Sequence, residues 1–324
     1  MDALKNYYNL FSTYQKLQNY DNEPKQLYEP ISYILSLGGK KIRPLLTLMA
    51  AEAFGGKVDD ALPAALAIEL FHNFSLIHDD IMDGAPLRRG QPTVHHKWDV
   101  NTGILSGDAM LIRAYQCFES YDPIVFKQLM TLFSQTAIQV CEGQQWDVDF
   151  ENISNVEMAQ YLKMIEYKTS VLLAAALQMG AIVSGANEVE QQQIYNYGLN
   201  LGLAFQLLDD YLDAFGDPET FGKQVGGDII ENKKTYLYIK ALELANEEEK
   251  KSLLDLFQTT NVDIYLKIEQ VKAIFLATGA AIAIKEKISN YTEQAFKQLD
   301  GLNLSMESKQ IFIAFGQYLM EREV

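Results

Sequence analysis

The chain has 324 residues, 48% hydrophobic and 22% charged, with 20 Gly and 8 Pro. That composition can build one large core and excludes disordered, collagen-like and disulfide-framework classes. Acidic residues number 43 against 27 basic ones, a formal net charge of −16, which leaves no broad basic surface for nucleic acid or an anionic membrane.

In chain order, the opening MDALKNYYNLFSTYQKLQNY is too evenly polar for a signal peptide, so the cytoplasm is the expected location. Prolines at 24, 30, 44, 63, 86, 92, 123 and 218 leave two windows, 124 to 217 and 219 to 324, free of breakers, and both predict long helices. Gly38-Gly39 and Gly55-Gly56 mark helix ends, Gly84-Ala85-Pro86 ends another, and Gly216-Asp217-Pro218 stops a fourth. The most apolar stretch, 171 to 186, is interrupted by Gln178, Ser184 and two glycines and falls short of a membrane span, so it reads as a buried helix. Cys117 and Cys141 are expected as buried thiols in a reducing compartment. Strand alternation is absent, so the prediction is an all-α bundle of ten to twelve antiparallel helices forming one domain over 1–324, with a Lys- and Glu-rich peripheral layer from about Asn246.

The pattern DDxxD occurs at Asp79–Asp83 and again at Asp209–Asp213, about 130 residues later. On a helix its first and last Asp stand one turn apart on one face and can hold a hard cation between them. Each copy follows an apolar run, which puts it at a predicted helix C-terminus at the mouth of the core. Acids there oppose the helix dipole by about 0.3 to 1 kcal/mol each, and magnesium would compensate. The alternative for a single copy is a solvated acidic face; the repetition argues against it. Magnesium held by few carboxylates completes its shell with water and phosphate oxygens. Candidate phosphate binders are Lys40, Lys41 and Arg43 in GGKKIRP, Arg88 and Arg89 in LRRGQP, and Lys168, Lys223, Lys233 and Lys234 in the second half. Arginine forks onto phosphate oxygens, whereas lysine acts as a point charge.

GGKKIRP at 38–44, HDDIMD with LRRGQPTVH at 78–95, Lys168-Thr169, FQLLDDYLD at 205–213 and GKQVGGDIIENKKT at 222–235 together resemble a trans-isoprenyl diphosphate synthase over about residues 30 to 240. The resemblance implies an isoprenoid-synthase-type helical bundle around a deep central cavity, usually as a homodimer with no stable membrane insertion. It implies head-to-tail condensation of isopentenyl diphosphate with an allylic diphosphate (dimethylallyl, geranyl or farnesyl), with about three magnesium ions per active site. Asp79, Asp83 and Asp209 would hold magnesium, with Asp80 and Asp213 in support. Arg88, Lys168, Lys223 and Lys233 match contacts to the allylic diphosphate, and Thr169 and Gln206 match polar groups beside the reacting carbons. Lys40, Arg43, His72 and Arg89 match the isopentenyl diphosphate pocket. Between its two lysines the GKQVGGD stretch is one residue longer than the family's usual form, which weakens the match at Lys233. The implied chemistry is departure of diphosphate, attack of the isopentenyl double bond on the allylic carbocation, and proton loss, with no nucleophilic side chain. His95 and His96 lack acids at ligand spacing and read as structural.

In this family the product descends the helix that carries the first triad. Ser75, Phe74 and Phe71 lie four, five and eight residues before Asp79. At about 1.5 Å per residue the two rings sit about 7.5 and 12 Å below the metal site, the floor of a short cavity. The first triad lacks the two-residue insertion common in bacterial farnesyl synthases, and Ser75 beside Phe74 resembles geranylgeranyl synthases. A C20 product is therefore expected, with C15 as competitor. Other readings are a medium- or long-chain polyprenyl synthase, a class I terpene cyclase, disfavoured by the second DDxxD, and a non-catalytic partner subunit, disfavoured by two intact triads.

Overall fold

The computed structural model describes residues 2–153, 155–217, 225–258 and 263–321. In chain order its helices are α1 (Asp2–Leu17), α2 (Lys25–Ser36), α3 (Ile42–Ala53), α4 (Leu62–Met82), α5 (Val94–Lys97), α6 (Val100–Gln116), α7 (Pro123–Asn152), α8 (Met158–Ile165), α9 (Val171–Val183), α10 (Glu188–Phe215), α11 (Gly227–Ile230), α12 (Tyr236–Leu244), α13 (Glu247–Gln258), α14 (Ile264–Ala277), α15 (Ala280–Asp300) and α16 (Met306–Met320). The all-α class is as expected, and the helices outnumber the ten to twelve predicted because the proline-free windows are cut by caps and turns. Glu157 and Gln160 form a capping box at α8, Asp99 caps α6, and Asp263 and Ser305 cap α14 and α16. Each satisfies backbone N–H groups that a helix start leaves open.

Among the described residues one strand pair accompanies the helices, β1 (Leu87–Arg88) with β2 (Gln91–Pro92), where the sequence predicts no strand. Arg89 and Gly90 both have positive φ (53° and 74°), the turn that joins two strands through two residues. The turn is too short to show as strand alternation, and tertiary hydrogen bonds hold it: Tyr33 Oη donates to Pro92 O and Thr93 Oγ1 to Ala85 O, both at 2.7 Å.

The chain divides into two compact units, Met1–Ser134 with Ala175–Gln192, and Gln135–Ala174 with Gln193–Val324; α7, α9 and α10 contribute residues to both. In the first unit α4 is the central element, with Ala64, Ala65, Ala67, Ile68, Leu70 and Phe71 all buried. Helix α6 lies close against its C-terminal half: a side chain on Gly103 or Gly107 would run into Ile81 or His78. In the second unit the last turns of α10 (Leu207, Leu208, Tyr211, Leu212) share a core with α12 and with Leu253, Ile268, Val271, Phe275 and Ile284 of the C-terminal helices. The segment after Asn246 thus supplies core residues rather than only a peripheral layer. The apolar stretch after Val171 forms buried α9, and no described helix is long and apolar enough to cross a membrane. Cys117 is half-buried, as a small apolar residue can be, but Cys141 falls on the exposed side of α7 beside Glu142, contrary to expectation.

Candidate active site

In the first unit the sequence places an apolar helix, α4, directly before the acidic triad. Asp79 and Asp80 lie in its last turn and Asp83 is its C-cap, closed by Asp83 N–H donating to Asp79 O at 2.9 Å. Asp80 is 1% exposed and its carboxylate is taken by Arg88: Nε donates to Oδ2 at 2.8 Å and Nη2 to Oδ1 at 2.7 Å. The same Nη2 lies 3.9 Å from Asp79 Oδ2. Asp80 therefore orients Arg88, and the hairpin is the device that brings Arg88 back to the triad. At the hairpin tip Arg89 Nη1 donates to Gly38 O, tying the tip to the GGKKIRP turn.

About two turns before the triad, His72 is held well below the ordinary histidine value by burial and by the charges of Arg43, Arg89, Arg88 and Lys41. Four cations thus act on one imidazole in a chain of net charge −16. Burial draws the Arg43 guanidinium down to about 10, still charged at neutral pH, with Glu69 pulling the other way, and Arg43 Nε is buried with no acceptor among the described residues. Lys40 lies in the same turn.

Below the triad, Phe74 and Phe71 are buried, their rings 5.4 Å apart. Phe133 of α7 completes the cluster at 5.3 Å from Phe71, 4.8 Å from Tyr115 and 5.2 Å from Phe118. These three aromatics escaped the sequence reading, since nothing local marks them. Ser75 Oγ donates back to His72 O at 2.9 Å.

In the second unit the chain between α8 and α9 winds into a single π-turn, Glu166–Ser170, which carries Lys168 and Thr169. Such wide turns recur at functional sites because they re-aim side chains within a helix. Lys168 Nζ donates to Asp147 Oδ2 at 2.6 Å, and Thr169 Oγ1 to Gln206 Oε1 at 3.2 Å. Gln206 Nε2 continues to Asp210 Oδ1 at 3.3 Å, and Tyr161 Oη donates to Asp210 Oδ2. Asp210 is held well above the ordinary carboxylate value by burial and by Asp228 beside it. These groups border a cavity of about 120 Å³, with Lys233 on its rim.

Asp209 and Asp213 occupy the partly exposed face of α10, one turn apart. Asp213 Oδ2 accepts from Asp228 N–H at 3.0 Å and its carbonyl accepts from Gly226 N–H at 2.6 Å, so Asp213 also anchors the GGD turn. Lys233 Nζ lies 2.9 Å from Glu231 and 4.0 Å from Asp228. Burial works against its charge, but those acids prevail and raise it above the ordinary lysine value. Lys234, a candidate phosphate binder, here donates its Nζ to Phe150 O and Glu151 O (2.7 and 3.1 Å), terminal carbonyls of α7 that favour a cation. Lys223 lies outside the described residues. Asp147, Tyr161 and Asp228 join the site unannounced by sequence spacing.

Among the described residues no three His, Cys, Asp or Glu side chains form a ready-made metal cage. The donor set, carboxylates one turn apart at Asp79/Asp83 and at Asp209/Asp213, is hard and oxygen-only, which suits magnesium completed by water and phosphate oxygens.

The Polyprenyl synthetase family model matches residues 24–275. A short chain isoprenyl diphosphate synthase of Methanothermobacter thermautotrophicus is 36% identical, over 100% of this chain and 98% of its own. A crystal structure of a geranylgeranyl pyrophosphate synthase is 54% identical with a TM-score of 0.95, covering 100% of both chains. A geranylgeranyl pyrophosphate synthase from Corynebacterium glutamicum, complexed with isoprenyl diphosphate and magnesium, is 27% identical with a TM-score of 0.83, covering 99% of this chain and 97% of that one. Motifs, helical architecture and similarity over the full length agree: the chain belongs to the polyprenyl synthetase family.

Proposed function

We propose that this protein makes geranylgeranyl diphosphate, C20, by successive head-to-tail additions of isopentenyl diphosphate to an allylic diphosphate. The chain is a short-chain trans-prenyltransferase. The observation that carries the reading is the gathering of arginines at the first DDxxD: Arg88 on Asp80 of the triad, Arg89 tied to the turn that carries Arg43, and all three acting on His72 of the same helix. An acidic chain concentrates cations in this way where it must hold a polyanion.

In this assignment Lys40, Arg43, Arg89 and neutral His72 hold the isopentenyl diphosphate. Arg88, kept in place by Asp80, receives the allylic diphosphate together with Lys168 and Lys233, and Lys223 has the same role. Thr169 and Gln206, joined by their own hydrogen bond, present oxygens where positive charge develops on the allyl group. Asp79 and Asp83 of the first unit and Asp209 of the second would hold magnesium, about three ions with substrate bound. When bound, magnesium supplies charge neutralisation for the departing diphosphate. Phe71 and Phe74, now joined by Phe133, form the floor that ends elongation, and Ser75 keeps the space above it open. Residues 1–324 act as one synthase domain. The partly exposed Cys117 and exposed Cys141 are free thiols and suit a cytoplasmic enzyme. A homodimer is supported by α6, which exposes Ile104, Leu105 and Ile112.

The test is incubation of the protein with magnesium, isopentenyl diphosphate and each allylic starter in turn, with products read by mass spectrometry. A dominant C20 product is expected. Products of C30 or longer overturn the chain-length assignment, and no elongation from any starter overturns the activity.

A further inference from the structure

Lys41 is the residue of the GGKKIRP turn that points inward. It sits at the N-terminus of α3 with φ 50° and ψ 36°, a left-handed conformation disfavoured for a residue with a Cβ. Its side chain is 5% exposed, and Nζ lies 2.8 Å from Glu69 Oε1 of α4, itself 3% exposed. The same oxygen accepts from Asn73 Nδ2 at 2.8 Å, and Asn73 is wholly buried. Buried ion pairs add little net stability, because desolvation offsets the Coulombic gain, so this one calls for another role.

The neighbouring cation suggests that role. Glu69 is the acid whose charge acts on Arg43, and Arg43 Nε is buried with no acceptor among the described residues. A carboxylate whose charge reaches an unsatisfied guanidinium N–H attracts it unless already engaged. We infer that Lys41 is a positioning residue: its pair with Glu69 pins the 38–44 turn to the triad-bearing helix and occupies the carboxylate that would otherwise take Arg43 from the isopentenyl diphosphate. Arg89, donating to Gly38 O, holds the same turn from the other side. The inference rests on the substrate assignment above and adds to it two residues, Lys41 and Glu69, that touch no substrate.

Steady-state kinetics of the full chain, with each substrate varied in turn, test it. Lys41→Met should raise KM for isopentenyl diphosphate by about tenfold, leaving kcat and the allylic KM within about twofold. Lys41→Arg should restore most of the affinity. Adding Glu69→Gln to Lys41→Met should recover part of it, because the competing charge is gone; a purely structural pair predicts further loss. An unchanged isopentenyl diphosphate KM in Lys41→Met, a parallel rise in both KM values, or a worse double variant overturns the inference. Should Lys41→Met not fold, the double variant, which buries no unpaired carboxylate, decides by the same KM: a wild-type value overturns the inference, and a selective rise smaller than tenfold supports it. Arg43→Ala is the control on the underlying reading. If it leaves the isopentenyl diphosphate KM unchanged, the pocket assignment fails; if it raises that KM while Lys41→Met does not, only the role of Lys41 fails.

Discussion

His72 shows how strongly one residue can register its surroundings. Burial and four cations keep it neutral in the folded chain, while the unfolded chain protonates it near the ordinary value of 6.5. The unfolded state then binds more protons as the pH falls below that value, so His72 contributes a loss of stability on acidification and none above it. His72→Gln should lower the thermal midpoint less than wild type does between about pH 7.5 and 5.5; parallel pH dependence in the two proteins refutes this. The same neutrality lets the ring sit among arginines without adding to their repulsion. Phe74 is the other residue with a sharp expectation. Phe74→Ala removes a ring held between Phe71 and His78 and should lengthen the product by at least one C5 unit, read by mass spectrometry. Phe133→Leu, a milder change at the same cluster, should shift the product distribution in the same direction. Unchanged chain length in both removes the aromatic floor from the account.

At the scale of elements, the π-turn at Glu166–Ser170 depends on what packs beside it. Gly143 of α7 lies so close that a Cβ would collide with the backbone nitrogen of Lys168, and Gly202 of α10 does the same against Ser170. Only hydrogen at these two positions lets the turn come near enough for Lys168 to reach Asp147 and Thr169 to reach Gln206. Gly143→Ala gains helix propensity but must push backbone aside, an overpacking cost of about 1 to 3 kcal/mol. The expected result is a lower thermal midpoint together with a fall in kcat larger than in any KM. A variant as stable and as active as wild type would show that the turn tolerates displacement. The hairpin is a second such element: a short segment, Leu87 to Pro92, with almost no strand signal delivers Arg88 to Asp80 and Arg89 to Gly38, so its function lies in the return of the chain and not in a sheet.

For the whole molecule, the exposed apolar residues of α6 lead to an assembly prediction. Leu105 and Ile112 are each 58% exposed and lie two turns apart on the helix. Leu105→Asp should convert the proposed dimer to single chains in size-exclusion chromatography with light scattering; a wild type that already runs as one chain, or a variant that stays dimeric, refutes this face as the interface.

The sequence by itself determined the helical class, the two acidic triads at helix ends and the family, because those signals are local: the triad spacing is one helical turn, and GGKKIRP and LRRGQP are contiguous runs. Tertiary structure alone decided which groups satisfy which. Tyr161 meets Asp210 across 49 residues, Lys168 meets Asp147 across 21, and Lys41 meets Glu69 across 28. No periodicity encodes such pairs, since each forms only when segments far apart in sequence pack together and lose water around polar groups, which then favour a protein partner. For the same reason Asp80 could be read in sequence as a metal-supporting acid, and only the returning hairpin made it the anchor of Arg88.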